Sequence, residues 1–599
     1  MSLLARVVVD VTGVDKPFDY LIPDALRSDV VVGSRVRVSL HRREVSAWVM
    51  AIVAEIDSDV DTARLLPIIK VTSVGPSPDV VTLVEWAAVR WVSRRRPFFV
   101  SASPPKRVPR LVASRYGTRS KNMSVSGDTS HDAAVEALFS GVGGVVQCGP
   151  ASSHSALIAS ATRHGPTLVM VPTVVRARRL AARCRQLGLT TAVYPDDWVA
   201  AASGVDVVVG ARSTVWASVA QLASIIVIDE HDDTLQEERA PTWHARDVAI
   251  ERARQAGITC VLVSPVPTLS ARQWAHSVGA DVVQANDATD WPAIRVIDRN
   301  IDERWASSLV TSELIELLRD HTKRVVCVLN VKGRARAVAC DSCRMVARCE
   351  GCGAAVHQPD EQGFVCPRCA ATRPLVCLAC GSQKMRSIRI GISRLRDELE
   401  AAAGRSVQEI KPTTSAIEPH TSVFVGTEAV LHRIDRADVV VFLDIDAELL
   451  APRFRASEQA LSLVAHGARL VTGGSGSTGD SVGDSARGEV VLQTSVPQHE
   501  VMVGLVSADL NPHVAAETDR RQRLRLPPFG ALAEISGAGA PDVAAQLAAS
   551  LLVQVASSED RTLVRAASWE ALSEALTVAL AAVTRSKVRV RIAVDPSRA

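Results

Sequence analysis

No uninterrupted apolar run in this 599-residue chain approaches the roughly 20 residues that a membrane-crossing helix requires. That speaks against a helical membrane protein. An excess of one charge is also missing, since 68 Lys and Arg stand against 65 Asp and Glu, a formal net charge of +3. So small a total does not by itself imply a polyanionic partner, which local basic clusters betray better than a sum does. No secretory leader is read at the start, where Met1–Arg6 runs straight into the strand-like Val7–Val9. The expected setting is soluble and intracellular. With 47% hydrophobic residues there is ample material for folded cores, and about 100–200 residues per domain predicts about three to five domains.

What is present is concentrated. Eight of the 12 cysteines form four Cys-x-x-Cys pairs: Cys340/Cys343, Cys349/Cys352, Cys366/Cys369 and Cys377/Cys380. Each such turn presents two thiolates to one metal, and a closed Zn²⁺ site takes four ligands, so the set predicts two zinc ions with no ligand left over. A disulfide scaffold is the alternative, but that device belongs to small secreted chains. Cys148, Cys184, Cys260 and Cys327 lie in apolar or helical runs and read as buried small hydrophobes.

Residues 1–105 open with β-type runs (Arg6–Val11, Phe18–Ile22, Ser34–Val38, Ala47–Ala54), followed by an apolar helical stretch, Val80–Val92. Pro104 to Ser130 is polar and aperiodic and reads as a linker. Short, wholly apolar runs then alternate with helical segments: Val145–Cys148, Thr167–Val171, Val205–Val209, Ile225–Ile228 and Cys260–Ser264. Such strands predict a parallel sheet covered on both faces. A second set (Arg324–Asn330, Thr421–Val425, Val439–Asp444) is interrupted by the cysteine-rich insert, which predicts two α/β lobes. Gly473–Gly488 reads as a flexible Gly/Ser/Asp loop, and Arg521–Gly530 opens a last domain. Arg94–Arg96, Lys106–Arg110 and Arg520–Arg525 are local basic clusters, each either a solvated face or a phosphate site.

The order of these segments resembles the bacterial replication-restart primosomal protein N-prime family, PriA-type helicases of superfamily 2, over nearly the whole chain. Lys16–Pro23 (KPFDYLIP) with Gly33–Val38 is similar to the family's N-terminal 3′-DNA-end-binding domain, and Val208–Trp216 (VVGARSTVW) to a DNA-contact motif. Val227–Asp232 (VIDEHD), Trp243–Ala249 (WHARDVA), Pro452–Leu461 (PRFRASEQAL) and Arg521–Gly530 follow in the family's order. The resemblance implies that Phe18 and Asp19 hold a DNA 3′ terminus, by ring stacking and by a hydrogen bond from the 3′-hydroxyl. A β-core role for Phe18 is the alternative. It further implies that Arg212 contacts DNA. It also implies nested metal pairing, with Cys340, Cys343, Cys377 and Cys380 on one ion and the inner four cysteines on the other. The excess of Arg over Lys, with abundant Ala and Val, suits a GC-rich genome and resembles a degenerate actinobacterial-like member of the family.

Departures from the family pattern fall on the ATPase motifs. A P-loop needs Gly-x-x-x-x-Gly-Lys-Ser/Thr so that backbone N–H groups and a Lys surround the phosphates. Gly149-Pro150-Ala151-Ser152-Ser153-His154-Ser155 keeps only Gly149 and Ser155 as cofactor-binding remnants. Pro150 removes a backbone donor, and His154 replaces a permanent cation. Asp229 and Glu230 end an apolar strand as remnants of the Mg²⁺-binding acidic motif, which is one acidic residue shorter than the family's. Ser264-Pro265-Val266-Pro267-Thr268 has lost the residue types of the coupling motif. Leu431-His432-Arg433-Ile434-Asp435 replaces a Lys-Gly-x-Asp-Phe segment, and Ala465-His466-Gly467-Ala468-Arg469 replaces Gly-Arg-Ala-Gly-Arg. Loss of an arginine finger costs about 10³–10⁵ in rate. Arg469 as a displaced finger is the alternative.

The expected architecture is multidomain α/β: residues 1–105, a β-rich 3′-DNA-end-binding domain; 106–130, a linker without the family's winged helix; 131–300, RecA-like lobe 1; 301–339 and 383–494, RecA-like lobe 2; 340–382, a double zinc-binding insert; and 495–599, a small α/β C-terminal domain. The expected function is a replication-restart primosome component that binds branched and single-stranded DNA at stalled forks without helicase catalysis, so no catalytic residue is assigned. ATP and Mg²⁺ remain doubtful cofactors beside the two zinc ions. Expected partners are replication-restart and primosome proteins, single-stranded-DNA-binding protein and the replicative-helicase loading machinery, in the cytoplasm at the nucleoid, with no membrane. An active ATP-dependent 3′-to-5′ helicase and a zinc-dependent interaction protein without DNA binding are the competing readings.

Overall fold

The computed structural model describes residues 3–54, 65–117, 133–286, 288–301, 309–330, 338–343, 345–351, 355–360, 363–366, 371–387, 392–411, 413–414, 416–472, 488–558, 561–583 and 589–597. Two compact units divide the chain. One holds residues 1–146, 153–283 and 521–596; the other holds 147–152, 284–520 and 597–599.

In the first unit, strand Arg35–Leu40 buries Val36 and Val38 and leaves Arg35 and Arg37 half-exposed. This two-residue period lets one face of a sheet cover a core. The strand belongs to a five-stranded sheet in the order Phe18–Leu21, Leu3–Val9, Arg43–Ala54, Arg35–Leu40, Lys70–Ser73, antiparallel throughout. On its other face Trp48 stacks on Phe99 of helix Arg96–Ala102, with ring centroids 5.2 Å apart, and donates to Ser103 Oγ at 2.8 Å. Helix Pro78–Arg90 begins with its proline where the missing N–H costs nothing.

The same unit carries a seven-stranded sheet in the order Val282–Gln284, Gly143–Gln147, Thr259–Ser264, Ser224–Ile228, Thr167–Met170, Val207–Gly210, Thr191–Val193. Strands Ser224–Ile228, Thr259–Ser264 and Val207–Gly210 are buried at every residue, as strands covered on both faces must be. Arg252, almost fully buried, donates to the Val215 carbonyl (2.7 Å) and to Asp79 (3.0 Å), tying helix Pro78–Arg90 to the segment behind the sheet. A four-stranded antiparallel sheet (Val553–Ser557, Thr562–Ala566, Ala531–Ser536, Arg591–Val594) completes the unit. It is fastened by Thr242 Oγ1 to the Val594 carbonyl (2.8 Å) and by Gln236 Nε2 to the Asp595 carbonyl (2.6 Å).

The second unit is built on six parallel strands in the order Ala293–Asp298, Glu489–Thr494, Val439–Phe442, Val325–Val328, Val423–Gly426, Val407–Ile410. A lobe boundary at residue 300 would leave Ala293–Asp298 with the first sheet; it pairs instead with Glu489–Thr494. The strand lies at the sheet edge and is mostly half-exposed, so it lacks the wholly apolar signature of its neighbours. Helices Glu500–Ser507 and Asn511–Leu524 follow strand Glu489–Thr494. The first of them lies wholly within the second unit, which continues to Arg520, past the expected domain start at 495. Buried Gln493 accepts from Thr311 Oγ1 (2.6 Å) and donates to the carbonyls of Leu309 (2.8 Å) and Leu443 (3.1 Å). Most of the 106–130 linker and of the 473–488 loop lies outside the described residues. No helix among the described residues is long and apolar enough to cross a membrane. Cys148, Cys184, Cys260 and Cys327 are all buried. Burial pushes the Cys184 and Cys327 thiols up to about 12, which keeps them unreactive.

His499 caps helix Glu500–Ser507 by accepting from the Val501 N–H at 3.2 Å, and burial brings its pKa down from 6.5 to about 4. Between those values the unfolded chain takes up a proton that the folded chain refuses. Stability is therefore full above pH 6.5 and falls as the pH drops towards 4. His499→Asn keeps a capping acceptor without a titrating ring. Its thermal midpoint should fall less steeply across that window than that of the wild type; parallel slopes would contradict the assignment.

Candidate metal centre and helicase-like site

Strands Val338–Cys340 and Met385–Ser387 pair antiparallel and bring the two outer Cys-x-x-Cys turns together. The turns are closed by the Cys340 N–H on the Met345 carbonyl (3.0 Å) and the Cys377 N–H on the Ser382 carbonyl (2.8 Å). Sγ of Cys340 lies 3.5 Å from that of Cys380, and Sγ of Cys343 lies 3.4 Å from that of Cys377. All four sulfurs fall within 4.8 Å of one another. Thiolates around one tetrahedral zinc at ~2.3 Å stand about 3.8 Å apart, so the spacing suits a metal and is far too long for disulfides. Against the burial that would raise it, backbone N–H groups of Cys343 and Ser342 bring the Cys340 thiol down to about 6. The outer cysteines can hold a metal ion. Of the inner four, Cys349 and Cys366 are buried beside Phe364 and Val356, while Cys352 and Cys369 lie outside the described residues.

The loop after strand Gly143–Gln147, the expected P-loop remnant, folds on itself. Ser152 donates both its N–H (3.2 Å) and its Oγ (2.8 Å) to the Gly149 carbonyl. Helix Ser155–His164 starts after His154, whose side chain makes no capping bond, and Ser155 is buried. Within the second unit, which includes residues 147–152, Arg469 donates Nε–H to the Pro150 carbonyl at 2.7 Å.

Asp229 and Glu230 leave the end of strand Ser224–Ile228 almost fully buried, Asp229 with a left-handed backbone (φ 55°). Asp229 is ion-paired with Arg176 of helix Val174–Gln186. Glu230 accepts from the Thr268 N–H (2.7 Å), from Thr268 Oγ1 (2.8 Å) and from Arg246 Nη1 (3.2 Å). Against its burial, Asp247 and Glu230 hold the Arg246 guanidinium firmly charged. His231 Nδ1 stands 2.8 Å from Ser264 Oγ, which joins the acidic motif to the altered coupling motif. Arg246 and Thr268 were legible as members of motifs but not as partners of Glu230, and Arg176 fell in none of the motifs read from the sequence.

In the N-terminal sheet, Asp19 meets Arg6 across the ladder, with oxygens 3.0 and 3.1 Å from Nε and Nη2. Phe18 is partly buried against the β-core on the edge strand. Arg212 donates to Glu237 (2.8 Å) and to the Thr234 carbonyl (3.2 Å), leaving 37% of its side chain exposed. The basic clusters separate. Arg95 pairs with Asp15 and Glu85, Arg96 with Asp10, and Arg520 with Glu517 and Glu500, while Arg521 is buried. These four are therefore not a free basic surface. Lys106, Arg107 and Arg110 are exposed, and Lys106 and Arg107 join Arg115 at the rim of an open cleft of about 630 Å³.

The structure thus has a covered parallel sheet in each unit and a cysteine-rich insert in the second, a multidomain α/β architecture. The 3′DNA-binding domain (3′BD) model of the PriA family matches residues 6–104. The probable replication restart protein PriA of Mycobacterium tuberculosis is 26% identical over 588 residues, covering 88% of this chain and 86% of that protein. Replication restart protein PriA of Bacillus subtilis is 26% identical over 375 residues, covering 58% and 45%. Among solved structures, Saccharomyces cerevisiae Dbp5 bound to RNA and ADP BeF3 matches at 13% identity and a TM-score of 0.34, over 64% of this chain and 89% of that one. That likeness is too slight to argue from. Over most of its length the chain is similar to PriA-type replication-restart proteins.

Proposed function

We propose that this protein binds branched and single-stranded DNA at stalled replication forks as a scaffold for restart, and that it does so without ATP-driven unwinding. The observation that carries the second half is the state of the acidic pair. A carboxylate that is to hold a nucleotide's Mg²⁺ must face the nucleotide with oxygens to spare, yet Asp229 is engaged by Arg176 and Glu230 by Arg246 and Thr268. With no lysine in Gly149–Ser155 and Pro150 in place of a donor, nothing in that loop supplies the charge that transferring phosphate requires. Arg469 acts as a strut on the Pro150 carbonyl in this reading. Catalytic activity stands as the competing reading, and measurable Mg²⁺–ATP binding abolished by Asp229→Ala would favour it. A third reading, interaction through the metal insert alone, predicts no binding to any forked or single-stranded DNA.

DNA binding is supported by the domain match over 6–104 and by the exposed cations that follow it. Phe18 and the Asp19–Arg6 pair would meet a 3′ terminus, and Arg212 a neighbouring phosphate. Restart and primosome proteins, single-stranded-DNA-binding protein and the helicase-loading machinery are the partners this role requires, at the nucleoid. Removing Lys106, Arg107 or Arg110 singly should weaken fork binding at every sequence and lower the slope of log K against log salt by about one charge each. Fluorescence anisotropy across a salt series reads this directly. Three variants with the wild-type slope would remove the surface from the account.

A further inference from the structure

Outside the cysteine insert, the second unit gathers a second set of metal-ligating side chains: Glu428, His432 and His466, whose ligand atoms all lie within 4.8 Å of one another. Glu428 follows the carboxyl end of strand Val423–Gly426, and His432 lies one helical turn further on in Ala429–Arg433. A spacing of four places both side chains on one face, and His432 Nε2 is 3.9 Å from Glu428 Oε1. His466 comes from helix Ala456–Thr472 and is buried, with its ring 5.1 Å from that of His432 and inclined at 65°. Its helix is held close to the sheet. A Cβ on Gly467 would stand 2.9 Å from the Phe442 ring, so the position of the neighbouring His466 is set by tight packing.

We propose that these three residues form a divalent-metal site, taking zinc by preference, that ties helix Ala429–Arg433 to helix Ala456–Thr472. Two imidazoles and a carboxylate are a donor set that suits zinc and leaves a fourth position for water. Ligand atoms at ~2.0–2.2 Å around one tetrahedral ion stand about 3.4 Å apart, close to the 3.9 Å of the Glu428–His432 pair, so small side-chain rotations complete the site. A divalent cation placed among them would be ligated by both rings and the carboxylate at once. Glu428 and His432 are about a quarter exposed, which gives the ion a way in. The pairing falls where the family resemblance expects Lys-Gly-x-Asp-Phe and Gly-Arg-Ala-Gly-Arg. A fixed metal link thus stands in segments that a working helicase would use for nucleotide-coupled movement. The inference stands independently of DNA binding.

The test is elemental analysis of the full-length protein after equilibration with zinc at pH 7.5 and removal of loose metal. Wild type should carry about one ion per chain more than His432→Ala or Glu428→Gln, whatever the cysteines hold. Thermal midpoints confirm that the variants are folded, and the Glu428→Gln change, a near-isostere, guards against a packing defect at His432. Cobalt substitution adds a readout: both variants should lose the weaker, shorter-wavelength d–d contribution of a nitrogen- and oxygen-ligated ion while keeping the d–d and sulfur-to-cobalt charge-transfer bands of the thiolate-bound cobalt. Equal metal content and equal spectra in wild type and both variants would overturn the site.

Discussion

Arg246→Ala should destabilise the first unit by about 3–5 kcal/mol, the usual cost of stripping one partner from a buried ion pair. The Arg246 and Glu230 side chains are 6% and 0% exposed, so the abandoned carboxylate cannot recover solvation where it stands. Thr268 still donates two hydrogen bonds to it, which softens the loss without neutralising the charge. Glu230→Gln removes the charge and keeps an oxygen for the Thr268 N–H, and should cost less. The double variant should therefore be more stable than Arg246→Ala alone, a coupling that the four urea-unfolding midpoints of a double-mutant cycle give directly. A loss below about 1 kcal/mol for Arg246→Ala would mean that Glu230 is not held by this pair. It would then be available to a metal, and the case for a silenced nucleotide site would lose its main support.

The second large effect is expected at the cysteine insert. Cys340→Ser, or treatment with a strong zinc chelator, should unfold the insert while leaving the parallel sheets intact. Among the described residues the insert's own apolar core comprises Val338, Ala347, Cys349, Val356, Phe364 and Cys366, a small set. A metal on the outer cysteines would add to it, since structural zinc contributes ~10–16 kcal/mol in small zinc domains at neutral pH. The core of the six-stranded sheet is separate, running from Ile297 and Leu314 to Val441 and Val491. Limited proteolysis should therefore cut the metal-depleted protein between residues 338 and 387 while the fragments outside persist. Resistance of the insert after the metal is gone would show that its fold does not depend on the thiolate cluster.

Chain order and chemistry made much of this fold legible. Val439–Phe442, Val325–Val328 and Ile225–Ile228 are wholly apolar, a pattern that suits a doubly covered sheet, and each forms a strand where it was read. Ala293–Asp298 escaped because an edge strand needs no such run. The outer cysteines were legible because ligand spacing is local, and their convergence needs only one antiparallel strand pair. The state of the acidic pair was not. Arg176 and Arg246 reach Asp229 and Glu230 from helices far apart in sequence, and nothing in either helix marks its arginine as a partner. The Asp19–Arg6 contact likewise depends on strand register, which side-chain types alone do not fix. His432 and His466 stood out in the sequence only as residues displacing expected motifs. Their convergence is a product of two helices meeting above one sheet.

The proposed role is that of a PriA-like protein that binds forks without hydrolysing ATP. Its most direct test is ATP hydrolysis by the zinc-loaded protein, with and without forked DNA carrying a free 3′ leading-strand end, with fork binding measured in the same buffer. The account predicts tight fork binding and no stimulated hydrolysis, with Asp229→Ala indistinguishable from wild type in turnover. Fork-stimulated turnover that disappears in Asp229→Ala would contradict it, and would mean that the Arg176–Asp229 pair opens to admit a nucleotide.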